Sequence, residues 1–202
     1  MVPPDRLAPA EEECAAIQRV LAGEQECYAL LVQRYSGPLF RYLLRMAGRP
    51  DEAEDMVQEA FLRAYLSLAS YDSSYRFSTW LFRIATNLTL NRMKAEQRVV
   101  SMEALRDGPD EPPLELEDSR DDCRPEQQAE RAELAQAVQD CLEVLPDAYR
   151  SVVTLRHIAD LSYEEIADCT GLPVNTVRSR LHRGRERLGE CLEQRLPEED
   201  CR

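Results

Sequence analysis

Apolar residues recur at helical spacing along most of this chain, and no stretch shows the sustained alternation of a half-buried strand. Leu31, Tyr35, Leu39, Tyr42, Leu43 and Met46 form a first run, with Gly37 and Pro38 predicting a kink or break near its middle. Gly48 and Pro50 close that run, and Asp51 is placed to cap the next. Ala53, Met56, Val57, Ala60, Phe61, Ala64 and Leu68 then make an amphipathic stripe. After a polar stretch at 70–76, Phe77, Trp80, Leu81, Ile84, Ala85 and Leu88 repeat the period. Such stripes must face one another, which predicts a helical bundle over 24–98.

The periodicity fades over 99–124, where Pro109, Pro112 and Pro113 stand among acids. That composition buries too little apolar surface to order itself, so a flexible acidic linker is expected, kept extended by like-charge repulsion. A second helical unit opens at Pro125, a residue suited to a first helical turn. Leu134, Val138, Cys141, Leu142 and Leu145 mark its apolar face, and Pro146 ends it. A helix with Tyr149, Val152, Val153, Leu155 and Arg156 follows. Ser162 and Glu165 then spell a capping box that opens a short helix through Ile166, Ala167 and Cys169. Gly171 suits a left-handed helix end, and an arginine-rich helix runs from 174 to about 188. Short helix, glycine turn and basic helix together read as helix-turn-helix. The expected fold is all-α: an N-terminal extension (1–23), a helical domain (24–98), the acidic flexible linker (99–124), a helix-turn-helix domain (125–190) and a C-terminal tail (191–202).

Composition narrows the function. A length of 202 residues suits two domains of roughly 70 to 100 residues each. No segment approaches the ~18 uninterrupted apolar residues of a membrane span, and the start lacks a basic-then-apolar signal pattern. A cytoplasmic protein is expected. Gly-rich phosphate loops are absent from its seven glycines, which argues against a parallel-sheet nucleotide enzyme.

The net charge of −13 argues against a histone-like DNA binder, but its distribution is uneven. Residues 103–122 hold nine acids and two arginines, whereas 76–98 and 174–188 each hold five basic residues and one acid. Two places for phosphates follow. The seven cysteines show no C-x-x-C spacing, and His157 and His182 complete no zinc pattern. Reduced thiols are expected, with Cys27, Cys141 and Cys169 as small core residues and the pair Cys191 and Cys201 as redox or metal candidates. No metal or cofactor is predicted.

In the last helix, Val177, Leu181 and Leu188 should pack inward, leaving Arg178, Ser179, His182, Arg183 and Arg185 outward. Asn175, Thr176, Arg178, Ser179, His182 and Arg183 are placed to read base edges or hold phosphates in a major groove. In the first domain, Tyr71, Tyr75, Phe77, Trp80 and Phe82 lie among Arg76, Arg83, Arg92, Lys94 and Arg98. Rings beside cations suit single-stranded nucleic acid, although Phe77 and Trp80 also satisfy the apolar stripe. Asn87 and Asn91, one turn apart, offer amides to exposed bases. Asp51, Glu52, Glu54, Asp55 and Glu59 crowd a helix start, where the dipole favours carboxylates; without a nucleophile or histidine beside them they suggest a docking face rather than a catalytic site.

Three segments resemble bacterial RNA polymerase sigma factors. Asp55-Met56-Val57-Gln58-Glu59-Ala60-Phe61 resembles their D-x-V-Q-E-x-F segment. Phe77-Ser78-Thr79-Trp80-Leu81-Phe82-Arg83-Ile84-Ala85-Thr86-Asn87 resembles F-x-T-W-L-x-R-I-A-x-N. Leu161 to Ala167 and Thr176 to Leu181 match the pieces L-S-Y-E-E-I-A and T-V-x-S-R-L. Two domains and a short linker look like the extracytoplasmic-function (ECF) group.

The resemblance implies that 24–98 is sigma region 2 and 125–190 is region 4. Asp55, Gln58 and Glu59 would dock on the polymerase β′ subunit. Arg76, Trp80, Arg83, Asn87, Asn91 and Arg92 would meet the minus-ten promoter element. The helix-turn-helix would read the minus-thirty-five element while resting on the β flap, and an anti-sigma partner is expected. No enzymatic activity is implied. Two residues depart from the family pattern: His182 stands where an aromatic or aliphatic residue is common, and Gly184 where alanine is common, a change that should loosen the helix by roughly 1 kcal/mol. A helix-turn-helix regulator acting without core polymerase is the main rival, and it would leave the first-half motifs without a purpose. A thiol-based metal sensor would need coordinated cysteines.

Overall fold

The computed structural model describes residues 10–103 and 125–196; the side chains of 10–11, 94, 96–103 and 125–130 are not described. Of the expected linker at 99–124, residues 99–103 are instead helical, the end of the helix that opens at Phe77; the remainder at 104–124 with Cys123, together with Cys201 and the side chains of Lys94 and Arg98, lies outside the described residues. Among the described residues eight α-helices follow in order: α1 Ala10–Leu21, α2 Tyr28–Ala47, α3 Pro50–Leu66, α4 Phe77–Glu103, α5 Pro125–Val144, α6 Asp147–His157, α7 Tyr163–Thr170 and α8 Val174–Arg195. Short 3-10 turns precede α2 and follow α3. Among the described residues no helix is long and apolar enough to cross a membrane.

The first half is built on α2. Leu31, Leu39, Tyr42, Leu43 and Met46 are essentially inaccessible and pack with Ala53, Ala60 and Ala64 of α3 and with Phe77, Leu81 and Ala85 of α4. Of the kink or break expected at Gly37 and Pro38, the break does not occur: α2 runs through Pro38 as one helix. A proline inside a helix costs about 3 kcal/mol, and burial of large side chains on both sides of it offsets that. Nor does Asp51 cap α3. Arg49 is the extended residue before the helix, Pro50 takes its first position, and Asp51 accepts from the Arg49 guanidinium at 3.0 Å. Tyr42 is fully buried, its hydroxyl 2.9 Å from Thr86 Oγ1. Burial raises the pKa of that phenol, so it stays protonated.

Helix α1 falls within the stretch read as an extension. It buries Ala16, Ile17 and Val20, and its Glu13 accepts from the Tyr35 hydroxyl and lies 3.3 Å from Arg34.

In the second half, α5, α6 and α8 enclose Leu142, Val152, Val153, Leu155, Val177 and Leu181. The expectation that Cys141 is a reduced core thiol fails: it is buried but bonded to Cys191, and the anticipated partner Cys201 lies outside the described residues. Gly184 is also buried, and a Cβ built there would meet Val153 Cγ2 at 2.6 Å. Its role is close approach of α8 to α6, not a looser helix.

The two halves pack together along a polar seam. Arg45 of α2 donates to Ala135 O and to Gln139 Oε1 of α5, each at 3.1 Å. In return Arg150 of α6 donates to Met46 O at the end of α2, and to Glu143 O and Leu145 O of its own half. Farther along, Cys169 of α7 donates to Thr79 O of α4 at 3.2 Å, and the Thr79 hydroxyl donates to Glu165 Oε1 at 3.1 Å.

Two outcomes follow. Gly184→Ala should lower stability even though alanine favours helix by about 1 kcal/mol, because overpacking costs roughly 1–3 kcal/mol; adding Val153→Ala should recover part of the loss in thermal melts. A higher melting temperature for Gly184→Ala would refute the close-approach account. Arg45→Met should open the seam, removing hydrogen bonds worth roughly 1.5–3 kcal/mol. Small-angle scattering should then give a radius of gyration above the ~17 Å of a compact chain of this length; an unchanged radius would show that the seam does not depend on Arg45.

Candidate nucleic-acid interface

Three faces gather the residues singled out in the sequence. On α3, Met56, Ala60 and Phe61 are buried, which turns Asp55 and Gln58 out to solvent and leaves Glu59 half-exposed. Glu59 accepts from Arg63 one turn on, at 2.6 Å. These three line an open groove of about 630 Å³ with Met56, Leu62, Leu88 and Arg92. The groove joins α3 to α4, so Arg92, from the basic helix, shares a surface with the acidic docking residues. Its guanidinium lies 4.0 Å from Glu52. Leu62 and Leu66, at 53% and 74% exposure, extend the outward face of α3 with apolar surface. The sequence signal was there, since both fall at docking-face spacing from Asp55 and Glu59, but an apolar residue on an amphipathic helix reads first as core.

On α4, the buried stripe of Phe77, Leu81, Phe82 and Ala85 sets what remains outside. Phe77 and Phe82 are core, so neither ring is available for stacking. Trp80 is half-buried and packs on Tyr71 and Phe77 at ring distances of 5.3 and 5.8 Å. Tyr75 is exposed, and Tyr71 donates to Tyr75 O, which braces the loop before α4. Burial pushes the Tyr71 phenol up to about 12, so it remains a donor. Arg83, Asn87, Asn91 and Arg92 are all exposed, and from Arg83 onward they recur at helical spacing. Amides and guanidinium groups thus line one side of α4, with aromatic rings at its start.

The helix-turn-helix forms as its local grammar predicts. Ser162 Oγ accepts from Glu165 N at 3.1 Å, and Glu165 Oε2 accepts from Ser162 N at 2.8 Å, a reciprocal capping box. Gly171 ends α7 at φ 68°, a conformation that costs a residue with a Cβ. Val177, Leu181 and Gly184 fix α8 against the core. Asn175, Arg178, Ser179, His182 and Arg183 are consequently exposed and Thr176 half-buried. Ser179 donates to Thr176 O, and His182 lies 3.5 Å from Glu186. Behind this face, Arg156 donates to Leu161 O and lies over the Tyr163 ring, holding the connection from α6 to α7. Arg185 donates to His157 Nε2 at 3.1 Å. Burial, then the neighbouring Arg185 and Arg156, lower the His157 pKa and keep it a neutral acceptor.

The seam brings the second and third faces into one neighbourhood. Glu165, the capping residue, also lies 3.8 Å from Arg76 at the start of α4. Cys169 is held protonated, its pKa raised to about 12 mainly by burial, so it acts as a hydrogen-bond donor and not as a reactive thiol. Arg45, Thr79, Arg150 and the seam role of Glu165 escape sequence reading because hydrogen bonds between distant segments leave no periodic trace.

Comparison with known proteins places the chain in a family. Residues 31–99 match the family described as Sigma-70 region 2, and residues 135–188 that described as Sigma-70, region 4. Over 172 residues the chain is 39% identical to the ECF RNA polymerase sigma factor SigW of Bacillus subtilis (strain 168), covering 85% of this chain and 92% of that protein. Among solved structures, CnrH in complex with the cytosolic domain of CnrY is 26% identical, with a TM-score of 0.64 over 92% of this chain and 99% of that one. The sigma factor RpoE, solved with the anti-sigma factor NepR from Bartonella quintana, shares the fold at 22% identity, with a TM-score of 0.66 over 82% of this chain and 96% of that one. The chain belongs to the ECF group of RNA polymerase sigma factors.

Proposed function

We propose that this sigma factor works by binding alone, in the cytoplasm and without catalysis, through three faces, the first two of which meet at Arg92. Asp55, Gln58 and Glu59 on α3 dock core polymerase at β′. Arg76, Trp80, Arg83, Asn87, Asn91 and Arg92 hold the opened minus-ten strand. Asn175, Thr176, Arg178, Ser179, His182 and Arg183 read the minus-thirty-five element in the major groove, with the helix-turn-helix domain resting on the β flap. The observation that carries this reading is the division of the first half: acids exposed on α3 and amides with cations exposed on α4, over one shared core. A regulator acting without core polymerase would have no use for the α3 face.

The closed seam adds a requirement. The two promoter elements are about 25 base pairs apart by their names, roughly 85 Å at 3.4 Å per step, whereas here α7 packs directly on α4. The two halves therefore separate when both elements are bound. Residues 104–124 can reach at most about 70–75 Å fully extended, which with the width of the domains is sufficient. A protein that holds the seam shut would silence the factor. An anti-sigma partner of that kind is part of this proposal, supported by the solved assembly of RpoE with NepR.

Mutations on the two faces of the first half should fail at different steps. Asp55→Ala with Gln58→Ala should weaken core-polymerase binding, since each charge-assisted contact carries roughly 1.5–3 kcal/mol. Asn87→Ala with Asn91→Ala should leave that binding intact and lower permanganate reactivity of promoter thymines, with partial rescue on a pre-melted template. Equal loss of polymerase binding by both pairs would defeat the division of labour. For the third face, Arg178→Ala should cost roughly 1–3 kcal/mol on matched upstream DNA and relax base preference; the same loss on scrambled DNA would reduce Arg178 to a phosphate contact.

A further inference from the structure

Cys141 and Cys191 are joined by a disulfide across 50 residues of sequence. Each sits in the last turns of its helix, so the bond ties the end of α5 to the end of α8. This is an unexpected place for one. Intracellular thiols are kept reduced by glutathione and thioredoxin, and the disulfides that do form there in mesophiles are mostly transient, catalytic or sensing. We propose that Cys141 and Cys191 form a reversible thiol–disulfide switch that sets how firmly the helix-turn-helix half closes on the first half. The proposal rests on the cytoplasmic, polymerase-binding function above.

The position of α5 carries the argument. It lies between α2 and α8: Arg45 of α2 donates to its Ala135 O and Gln139 Oε1, and Arg150 donates to its Glu143 O. The disulfide fixes the same helix to α8 at Cys141, two residues from Gln139. Alongside, Arg195 of α8 donates to Asp140, which also accepts from Gln136. Oxidised, α5 is held in the pose that Arg45 and Arg150 engage, so closure is preorganised. Reduced, α5 keeps its bonds to Arg45 and Arg150 but is held to α8 by the exposed Arg195–Asp140 pair and packing without the covalent tie, and the seam opens more readily. The base-reading face is spared, since Arg183 and Cys191 are eight residues, or about 12 Å, apart along α8.

The chemistry is two-electron exchange with a dithiol or two monothiols. Cys141 is fully buried and Cys191 half-buried, so attack falls on Cys191. A reductant thiolate bonds to Cys191 Sγ, the Cys141–Cys191 bond breaks, and Cys141 leaves as a thiolate that takes up a proton. A second thiolate then attacks the reductant sulfur of the mixed disulfide and releases Cys191, which is also protonated. The protein gains two thiols as the reductant becomes a disulfide. Oxidised glutathione reverses both steps.

The test equilibrates the full-length chain with oxidised or reduced glutathione, traps free thiols by alkylation and maps them by peptide mass. A Cys141–Cys191 linked peptide is expected in the oxidised sample and two alkylated residues in the reduced one. Reduction should lower the melting temperature by on the order of 10 °C, from the loop length closed. Scattering should show the open population rising about 5-fold or more, and Cys191→Ser should match the reduced form in either buffer. With core polymerase added, the oxidised protein should transcribe more slowly and Cys191→Ser should ignore the buffer. Linkage to another cysteine, free thiols under oxidation, or equal compactness and transcription in both forms would overturn the switch, even if melting shifts. Transcription by neither form would instead defeat the promoter-directed function, while thiol mapping and scattering would still decide the switch.

Discussion

One guanidinium, that of Arg150, sits where two helices end, and the arrangement of both halves follows from it. A helix leaves its last carbonyls without internal partners and its C-terminal end negative. Arg150 donates to Met46 O at the end of α2, and to Glu143 O and Leu145 O at the end of α5. One cation thus satisfies two helix ends from different halves of the chain. Burial lowers its pKa and Asp147, 3.8 Å away, raises it; an arginine still stays charged under any ordinary condition. Its Nε is buried and has no hydrogen-bond partner among the described residues.

A seam made this way differs from a core. The residues that meet across it bond through side chains to backbone carbonyls, as Arg45 to Ala135, Arg150 to Met46 and Cys169 to Thr79, and to other side chains, as Arg45 to Gln139 and Thr79 to Glu165. Such groups find water as soon as the halves part, so separation costs less than exposing an equal area of leucine and phenylalanine. Apolar packing accompanies these bonds: Leu39 and Phe77 of the first half and Leu155 and Ile166 of the second belong to one buried cluster.

Sequence periodicity carried the fold because each half is a set of amphipathic helices whose stripes leave a direct trace. The capping box at Ser162 and the left-handed Gly171 were equally legible, being local chemistry of a few residues. The break that Pro38 suggests is absent because its cost is local, whereas the packing that overrides it comes from α3 and α4. Gly184 read as a weak point of its helix until Val153 appeared opposite it. Cys141 read as a core thiol because its partner lies 50 residues away, and spacing of that length favours no pairing over another. The residues of the candidate faces were legible by type and register; what the sequence could not supply is that Glu165 of the helix-turn-helix reaches Thr79 and Arg76 of the other half.

Glu165 also explains why closing and opening leave little unsatisfied. Its Oε2 accepts from Ser162 N and completes the capping box, while its Oε1 faces Thr79 and Arg76 across the seam. When the halves part, the first bond remains and the second oxygen turns to water. Arg150 likewise gives up Met46 O but keeps Glu143 O, Leu145 O and the nearby Asp147. Glu165 and Arg150 therefore each hold a permanent partner within their own half and a second one across the seam. The permanent partners hold each unit together in either state, so the seam is free to be weak. Its strength then depends on how well α5 is positioned, because α5 supplies the carbonyls that Arg45 and Arg150 engage.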